Sequence, residues 1–330
     1  MSAVHDHARE RLLDELHEGE RFVLVTHENP DGDALGSLVA MQGLLRALGK
    51  DSVMFMAADE FPLPYEYRFF DLDGLQSTPP DDLDERTVVF LDCGNIDRNP
   101  ADAFKADDTR ILNIDHHHDN TRFGTVNHVV AGASCTAEIV WDLMRELGVE
   151  ATTEIAEALY VGLVTDTGRF MYENTGTRAH VMAAELIEAG IDVHALYRRL
   201  YEDMPFAKLE LLSRALGSVE RFDDGRLTYT FLSRADFEES GSEESYSEGI
   251  IDHLRSVEGT KVAVLARELA PNGRPGRKKV SLRATDGSVD VSVIARAGGG
   301  GGHRQAAGFS TQLGDDELVA FLREQIAAQG

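Results

Sequence analysis

The 330-residue sequence predicts an α/β protein with an N-terminal parallel sheet covered by helices on both faces, followed by a smaller C-terminal α+β domain. Two observations support this fold class. Short β-rich segments alternate with helical patterns in the first half of the chain, which is typical of a parallel sheet buried on both faces. After about residue 217, strand-like segments recur with polar turns between them. The length allows two domains, each with its own core.

The N-terminal elements follow from apolar patterning. One helix should end at Gly49, because five apolar residues before it recur at helical spacing: Leu35, Leu38, Met41, Leu45 and Leu48. Strands are predicted over 22–25, 53–56, 87–91 and 110–114, and helices over 136–147, 155–164 and 177–189. A further helical stretch over 193–216 is expected to connect the two domains, which gives predicted domains of 1–192 and 217–330.

The C-terminal elements are less regular. Strands are predicted over 227–232, 262–268, 280–283 and 289–294, followed by a glycine run at 298–302 and a final helix over 315–327. The segment 237–247 is rich in Glu and Ser, so we expect a mobile loop without chemistry.

Charge and cysteine usage narrow the function classes. The chain has 58 Asp and Glu against 32 Lys and Arg, a formal charge of −26. Proteins that coat DNA or RNA neutralise many phosphates with basic side chains. The acidic charge of this chain therefore disfavours a general DNA- or RNA-coating protein. Only Cys93 and Cys135 are present, so a disulfide scaffold is not expected. No apolar segment approaches the roughly 20 residues that span a bilayer, and the charged N-terminus is not a secretory signal. We therefore expect a cytoplasmic enzyme or binding protein.

Acidic residues and histidines follow the predicted strands. His27 follows the first strand, Asp92 follows the strand at 87–91, and residues 115–118 (DHHH) follow the strand at 110–114. In an open α/β sheet, ligands bind at the carboxyl ends of the strands, so these side chains should meet at one edge. Asp31 and Asp33 lie just beyond His27, and Asp166 ends an apolar helical segment.

Carboxylates crowded in one crevice repel each other unless they share protons or bind cations. A mixed set of carboxylates and imidazoles without thiolates best suits Mn²⁺, with Mg²⁺, Co²⁺ or Fe²⁺ as alternatives. Each residue alone also has a structural explanation: Asp33 as a helix cap, residues 29–32 as a turn, and the histidines as a solvated tract. The combination of all four segments favours a two-metal site.

These segments resemble the four motifs of the DHH phosphoesterases: residues 27–37 (HENPDGDALGS), the lone Asp92, residues 115–117 (DHH) and residues 165–168 (TDTG). Residues 299–303 (GGGGH) resemble the signature of the associated DHHA1 domain. Within that superfamily the chain is most similar to the nanoRNase-type (NrnA-like) oligoribonucleases and pAp phosphatases, and the flanks 133–138 (ASCTAE) and 168–170 (GRF) support this.

The resemblance implies a role for each motif residue. One metal would be held by His27, Asp31 and Asp92, and the other by Asp33, Asp92, His116 and Asp166, so that Asp92 bridges. His117 would face the scissile phosphate, and Asp115 would orient an imidazole.

Substrate contacts are expected mainly from the C-terminal domain. Amides of Gly300, Gly301 and Gly302 would converge on a phosphate beside His303, although a flexible linker is the alternative. The resemblance suggests that Arg283 grips a substrate phosphate, where the alternative is an ordinary surface strand residue. Arg169 is a further candidate, against a structural ion pair.

The resemblance implies hydrolysis of short oligoribonucleotides, linear dinucleotides (pApA, pGpG) and pAp to nucleoside monophosphates, in a cleft between the two domains. Long duplex nucleic acid and membranes are not expected partners, and the choice between monomer and homodimer stays open. The alternatives are a RecJ-like exonuclease, a cyclic-dinucleotide phosphodiesterase, an inorganic pyrophosphatase, or a nucleotide-binding regulator without catalysis. A RecJ-like enzyme should need a basic groove and aromatic stacking platforms, and the regulator should lack a metal ligand.

Overall fold

A computed structural model of the chain describes residues 3–61, 63–72, 74–106, 108–268, 276–302 and 304–329. The chain divides into two compact units, Met1–Glu202 and Asp203–Gly330. Within the described residues, no helix combines the length and apolar character needed to cross a membrane.

The N-terminal unit is built on a five-stranded, fully parallel sheet. Its strands are β1 (Arg21–Val25), β2 (Asp51–Met54), β3 (Thr87–Leu91), β4 (Ile111–Asp115) and β5 (Val126–Val129), in the spatial order β2-β1-β3-β4-β5. Val25 lies opposite Phe90, and Leu91 lies opposite Ile114, so the carboxyl ends of the three central strands lie at one edge.

Alternating side chains of the strands enter two separate cores, as a two-residue period requires. On one face, Leu24 and Leu91 pack with the α-helices. On the other, Val25 and Phe90 pack with Phe104 and short 3₁₀ turns. The helices of this unit are α1 (Ala3–Glu18), α2 (Gly32–Ala47), α3 (Thr136–Glu146), α4 (Thr153–Asp166), α5 (Thr177–Glu188) and α6 (Val193–Tyr201). The predicted fold class of this domain is confirmed.

Glycines bring α2 and α4 unusually close together. A Cβ atom at Gly36 would lie 2.3 Å from the carbonyl oxygen of Ala158, and one at Gly162 would lie 2.8 Å from Oδ1 of Asp33. Only residues without a side chain fit there, and this close approach brings the start of α2, with Asp33, against α4.

The C-terminal unit is a smaller domain with a six-stranded mixed sheet in the order β10-β11-β9-β8-β7-β6. Its strands are β6 (Glu220–Phe222), β7 (Leu227–Leu232), β8 (Val262–Glu268), β9 (Lys278–Ala284), β10 (Gly301–Gly302) and β11 (Ala306–Thr311). Its helices are α7 (Phe206–Gly217), α8 (Arg234–Ser240), α9 (Ile250–Arg255), α10 (Val291–Ala297) and α11 (Asp315–Ala327). The α+β class predicted for this domain is also confirmed.

Three local predictions are wrong. The helical stretch expected over 193–216 is two helices, because Pro205 lacks an N–H group and disfavours helical backbone at the residue before it. The strand expected over 289–294 is helix α10, which is capped by Asp290 and buries Val291, Ile294 and Ala295 at helical spacing.

The third wrong prediction concerns residues 237–247, where the structure has helical elements and the sequence predicted a mobile loop. Helix α8 begins with a capping box between Ser233 and Asp236, and a 3₁₀ turn spans Glu244–Ser247. Phe237 and Tyr246 are buried, so this acidic segment belongs to the core of its unit.

Candidate metal centre

Chain geometry at the sheet edge assembles the predicted ligands. Asp92 follows β3 directly, His116 follows β4 directly, and His27 lies two residues beyond β1. Asp92 has left-handed backbone (φ +57°), an unfavourable conformation for a residue with a Cβ atom. Its N–H still donates to the carbonyl of Ile114 at 3.1 Å, so the sheet fixes this position despite the strain.

Asp92 lies at the middle of the cluster. Its Oδ2 lies 3.5 Å from Nε2 of His27, and its Oδ1 lies 3.5 Å from Nε2 of His116. Nε2 of His116 also lies 3.9 Å from Oδ2 of Asp166. One buried carboxylate therefore has a different imidazole on each of its two oxygens.

Among the described residues there are three groups whose potential ligand atoms lie within 4.8 Å of one another inside each group. They are His27 with Asp31 and Asp92, Asp33 with His116 and Asp166, and Asp92 with His116 and His117. The structure thus brings all six predicted metal ligands together. Their role as ligands stays a prediction.

Two of the imidazoles are oriented by hydrogen bonds at Nδ1. Nδ1 of His27 lies 2.7 Å from the carbonyl oxygen of Glu28, a contact that orients the ring with Nε2 towards Asp92. Nδ1 of His117 donates to Oδ1 of Asp115 at 2.7 Å. Asp115 is fully buried and also accepts from the amide of Asn120 at 2.5 Å. Asp115 therefore orients His117, as the predicted role requires.

The two acidic residues near the start of α2 have different partners. Asp31 caps the helix by accepting from the N–H groups of Asp33 and Ala34, both at 3.1 Å. Asp33 is buried and accepts from the backbone N–H groups of Thr136 at 2.7 Å and Ala137 at 2.9 Å. The first turn of α3 thus binds Asp33, as helix N-termini bind anions. The structural explanation offered from the sequence, that Asp33 caps this helix, is wrong, because Asp31 is the cap and Asp33 accepts from a neighbouring helix.

Burial and mutual repulsion raise the pKa of two carboxyl groups. Burial, together with the charges of Asp92 and Asp31, raises the pKa of Asp166 to about 7. Burial raises the pKa of Asp33 well above its usual range, and the charges of Asp92 and Asp166 add to this. These two carboxyl groups therefore bind protons more readily than an unperturbed Asp side chain does.

Imidazoles oppose these effects in the centre. Burial would raise the pKa of Asp92, but the hydrogen bond from His27 and the charges of His117 and His116 bring it below its usual range. Burial would lower the pKa of His117, but the hydrogen bond to Asp115 and the charge of Asp92 raise it to about 9. A crowded set of hard oxygen and imidazole donors of this kind fits divalent cations.

Sequence reasoning missed three residues around the ligands. The hydroxyl of Thr136 donates to Oδ1 of Asp92 at 3.0 Å, and the amide of Asn174 donates to Oδ2 of Asp166 at 3.0 Å. The guanidinium of Arg98 lies 3.2 Å from Nδ1 of His27. Thr136 falls in the flank 133–138, which the sequence singled out only as a resemblance. Nothing in the spacing of Asn174 or Arg98 could have identified them.

The two arginines predicted to bind substrate differ in the contacts that they make. Arg169 has left-handed backbone (φ +62°), and its guanidinium carbon lies 5.0 Å from the ring centroid of Tyr201. Arg283 lies on β9 opposite Ala306, and its guanidinium donates to the carbonyl of Leu282 at 3.1 Å. These contacts favour a structural role for Arg169. Phosphate binding by Arg283 stays a prediction.

The glycine run has a packing explanation. The N–H of Gly300 donates to the carbonyl of Ala295 at 2.8 Å, so this amide closes the end of α10. A Cβ atom at Gly300 would lie 2.1 Å from the carbonyl oxygen of Gly308. The Gly300 amide therefore already has a partner within its unit, and phosphate binding by Gly300 stays a prediction. Gly301 and Gly302 pair with β11, and their part in binding stays a prediction. His303 lies outside the described residues.

Comparison with known proteins agrees with this geometry. Residues 21–163 match the DHH family, N-terminal domain, and residues 224–328 match the DHHA1 domain. The chain therefore belongs to the DHH/DHHA1 family of phosphoesterases, and it is a hydrolase of that metal-dependent family.

Within the family, the chain is similar to NrnA proteins. It is 34% identical to the bifunctional oligoribonuclease and PAP phosphatase NrnA of Thermus thermophilus, over 93% of this chain and 90% of that protein. It is 25% identical to the bifunctional oligoribonuclease and PAP phosphatase NrnA of Bacillus subtilis, over 92% of this chain and 94% of that protein. An exopolyphosphatase-related protein from Bacteroides fragilis has the same fold, with a TM-score of 0.88 at 22% identity, over 99% of this chain and 98% of that one. The predicted resemblance is confirmed.

Proposed function

We propose that the chain is a two-metal phosphoesterase that hydrolyses short oligoribonucleotides and linear dinucleotides to nucleoside monophosphates, and pAp to AMP. The observation that carries the proposal is the position of Asp92. Its two oxygens each lie 3.5 Å from a different histidine, His27 on one side and His116 on the other. A carboxylate in this position can be shared by two cations.

Donor chemistry supports Mn²⁺. Oxygen donors suit Mg²⁺ and Mn²⁺ alike, whereas the two imidazoles shift the preference towards transition metals. When bound, two such cations would neutralise negative charge on the phosphoryl group and activate a water molecule for attack. His27, Asp31 and Asp92 would hold one of them, and Asp33, Asp92, His116 and Asp166 the other.

His117 is the group we assign to the substrate. Its Nδ1 donates to buried Asp115, so the ring is held in one orientation beside the ligand cluster. From there it would stabilise charge on the phosphate or give a proton to the leaving group. Asp115 would act by holding His117 and by accepting from the backbone N–H of His116 at 2.9 Å.

The substrate class rests on two supports. The NrnA proteins to which this chain is similar are described as oligoribonucleases and PAP phosphatases. In addition, a formal charge of −26 disfavours binding of long polyanions. We assign phosphate recognition to Arg283, Gly301, Gly302 and His303, with Arg169 as a weaker candidate. A cytoplasmic location stays a prediction from the two unpaired cysteines, both of which are buried.

The test is a turnover panel with Mn²⁺ on pAp, pApA, cyclic di-AMP and labelled RNAs of increasing length. We expect pAp, pApA and RNAs of about two to five nucleotides to be cleaved fastest, because the few phosphate contacts are then already saturated. Activity should fall with length, and more steeply at low ionic strength, where acidic repulsion is less screened. Faster cleavage of long RNA at low salt would favour the RecJ-like alternative. Preference for cyclic di-AMP would favour the cyclic-dinucleotide alternative, and turnover in excess chelator would exclude the metal mechanism.

A further inference from the structure

Four consecutive residues, 134–137, lie at the start of α3 and contact the ligand cluster from outside. We call this segment the 134–137 turn. Its backbone N–H groups at Thr136 and Ala137 bind both oxygens of Asp33, at 2.7 Å and 2.9 Å. The hydroxyl of Thr136 binds Oδ1 of Asp92 at 3.0 Å. One turn of backbone thus contacts ligand residues from two separate elements.

The third acidic residue is linked to the same turn. The side-chain amide of Asn174 lies 2.8 Å from the carbonyl oxygen of Ser134 and 3.0 Å from Oδ2 of Asp166.

An ion pair between buried Glu138 and exposed Arg178 anchors the 134–137 turn. Oε2 of Glu138 accepts from the N–H of Ser134 at 3.0 Å, and its Oε1 accepts from Arg178 at 2.9 Å. Arg178 also donates to both oxygens of Asp142 at 2.6 Å and lies over the ring of Trp141. Since Glu138 is buried, the turn is held in place before any ligand binds.

We propose that Thr136 and Asn174 are positioning residues of the metal centre: Thr136 fixes the carboxylate of Asp92 and thereby both metal sites, while Asn174 fixes Asp166 and thereby one. This deepens the proposed function and rests on its two-metal assignment. The Thr136 hydroxyl occupies one lone pair of Oδ1 of Asp92, the oxygen that faces His116, and leaves the remaining lone pairs for cations. At 3.0 Å this contact is shorter than those of Asp92 to His27 and His116, both 3.5 Å, so the hydroxyl restrains the rotation of the buried carboxylate.

Asn174 acts on one group only. Asp166 belongs to the group with Asp33 and His116, whereas His27, Asp31 and Asp92 form the other. Asn174 is exposed, so water can replace part of its hydrogen bond when the side chain is removed. Its loss should therefore have a smaller effect than loss of the buried Thr136 hydroxyl.

The experiment is a calorimetric Mn²⁺ titration of the full chain and its variants after chelation and dialysis. Thr136→Val keeps the shape and the backbone N–H that binds Asp33 but removes the hydroxyl, and Thr136→Ser restores the hydroxyl. We expect T136V to weaken both binding steps by about 10- to 100-fold, as removal of an outer-shell donor does, and T136S to bind within about threefold of wild type. N174A should weaken one step, by about 3- to 10-fold, and leave the other unchanged.

The outcomes separate the two proposals. If the wild-type chain binds no Mn²⁺, or only one ion, the two-metal function itself fails. If it binds two ions and T136V binds both as tightly, the positioning proposal fails while the function stands. Equal weakening by T136V and T136S would also overturn it, because the hydroxyl would then not be the cause. Far-UV circular dichroism and thermal unfolding in chelator verify that each variant is folded.

Discussion

In the N-terminal unit the candidate functional groups surround two buried carboxylates, whereas in the C-terminal unit they are a half-buried arginine and a short glycine strand. Asp92 and Asp33 are each 2% exposed and have hydrogen-bond partners in place. Gly301 and Gly302 are exposed, and Arg283 is bonded within the described residues only to the neighbouring carbonyl of Leu282. The difference indicates that the first unit has its geometry set in advance, as catalysis requires, while the second can adapt to a ligand.

The strongest test of this comparison is removal of the shared carboxylate. Asp92→Asn keeps the shape and an oxygen for the Thr136 hydroxyl but removes the charge. We expect kcat on pAp to fall by about a thousandfold or more, because several kcal/mol of charge stabilisation disappear from both sites. Steady-state kinetics with Mn²⁺ measure this, with circular dichroism as the control for folding. Near-normal turnover of folded D92N would mean that another residue is shared.

A change in the C-terminal unit should act differently. Arg283→Ala should raise KM for pAp by about tenfold and change kcat less, because a phosphate contact made in both ground and transition states is lost. Lys279→Ala removes a positive charge from the same exposed side of β9, four residues away, and should leave KM near wild type. Equal effects of R283A and K279A would indicate general attraction in place of a specific contact.

These two regions also differ in how far the sequence could predict them. The ligand positions could be predicted from the sequence because β1, β3 and β4 are regular apolar strands, and a strand end fixes where the next side chain lies. The sequence could not predict that Thr136 and Asn174 contact the ligand residues. They reach Asp92 and Asp166 across 44 and 8 residues of chain, through contacts that only the folded structure creates.

In the C-terminal unit, β-branched residues misled the prediction. Val289, Val291 and Val293 suggested a strand, yet tertiary packing buries Val291, Ile294 and Ala295 on one side of α10. The glycine run suggested a phosphate loop, but Gly300 is required by its close approach to β11. Local pattern therefore sufficed for regular strands and failed where one element packs against another.

Metal binding should also distinguish the units by stability. Ligand binding to the folded state alone stabilises by about 2.7 kcal/mol at 100 times Kd, so saturating Mn²⁺ should raise the Tm of the N-terminal unit by several degrees. The C-terminal unit should show no such shift. Differential scanning calorimetry of wild type and D92N measures this, and D92N should lose most of the increase. An equal increase in D92N would mean that the ions bind elsewhere.

The smallest expected effect concerns α10, the helix that leads into the glycine run. Asp290 caps it by accepting from the N–H of Ser292 at 3.0 Å and from its hydroxyl at 2.5 Å. Asp290→Ala should lower the free energy of unfolding of the C-terminal unit by about 1 kcal/mol, the usual cost of a lost cap. Urea unfolding measures this, and kcat should stay unchanged because the ligand cluster lies in the other unit. Wild-type stability of D290A would contradict the capping role.

Asp290→Asn is the matched control, because asparagine caps helices as well as aspartate but carries no charge. The hydrogen bond from the Ser292 hydroxyl, together with backbone N–H bonds, holds the pKa of Asp290 below its usual range. A carboxyl with a lowered folded pKa stabilises above its unfolded pKa, and this contribution disappears as the pH falls through the folded value. Wild type should therefore lose stability relative to D290N as the pH falls below about 4, because an unperturbed Asp titrates near that pH. A constant difference between wild type and D290N over that range would show that the cap works through hydrogen bonding alone.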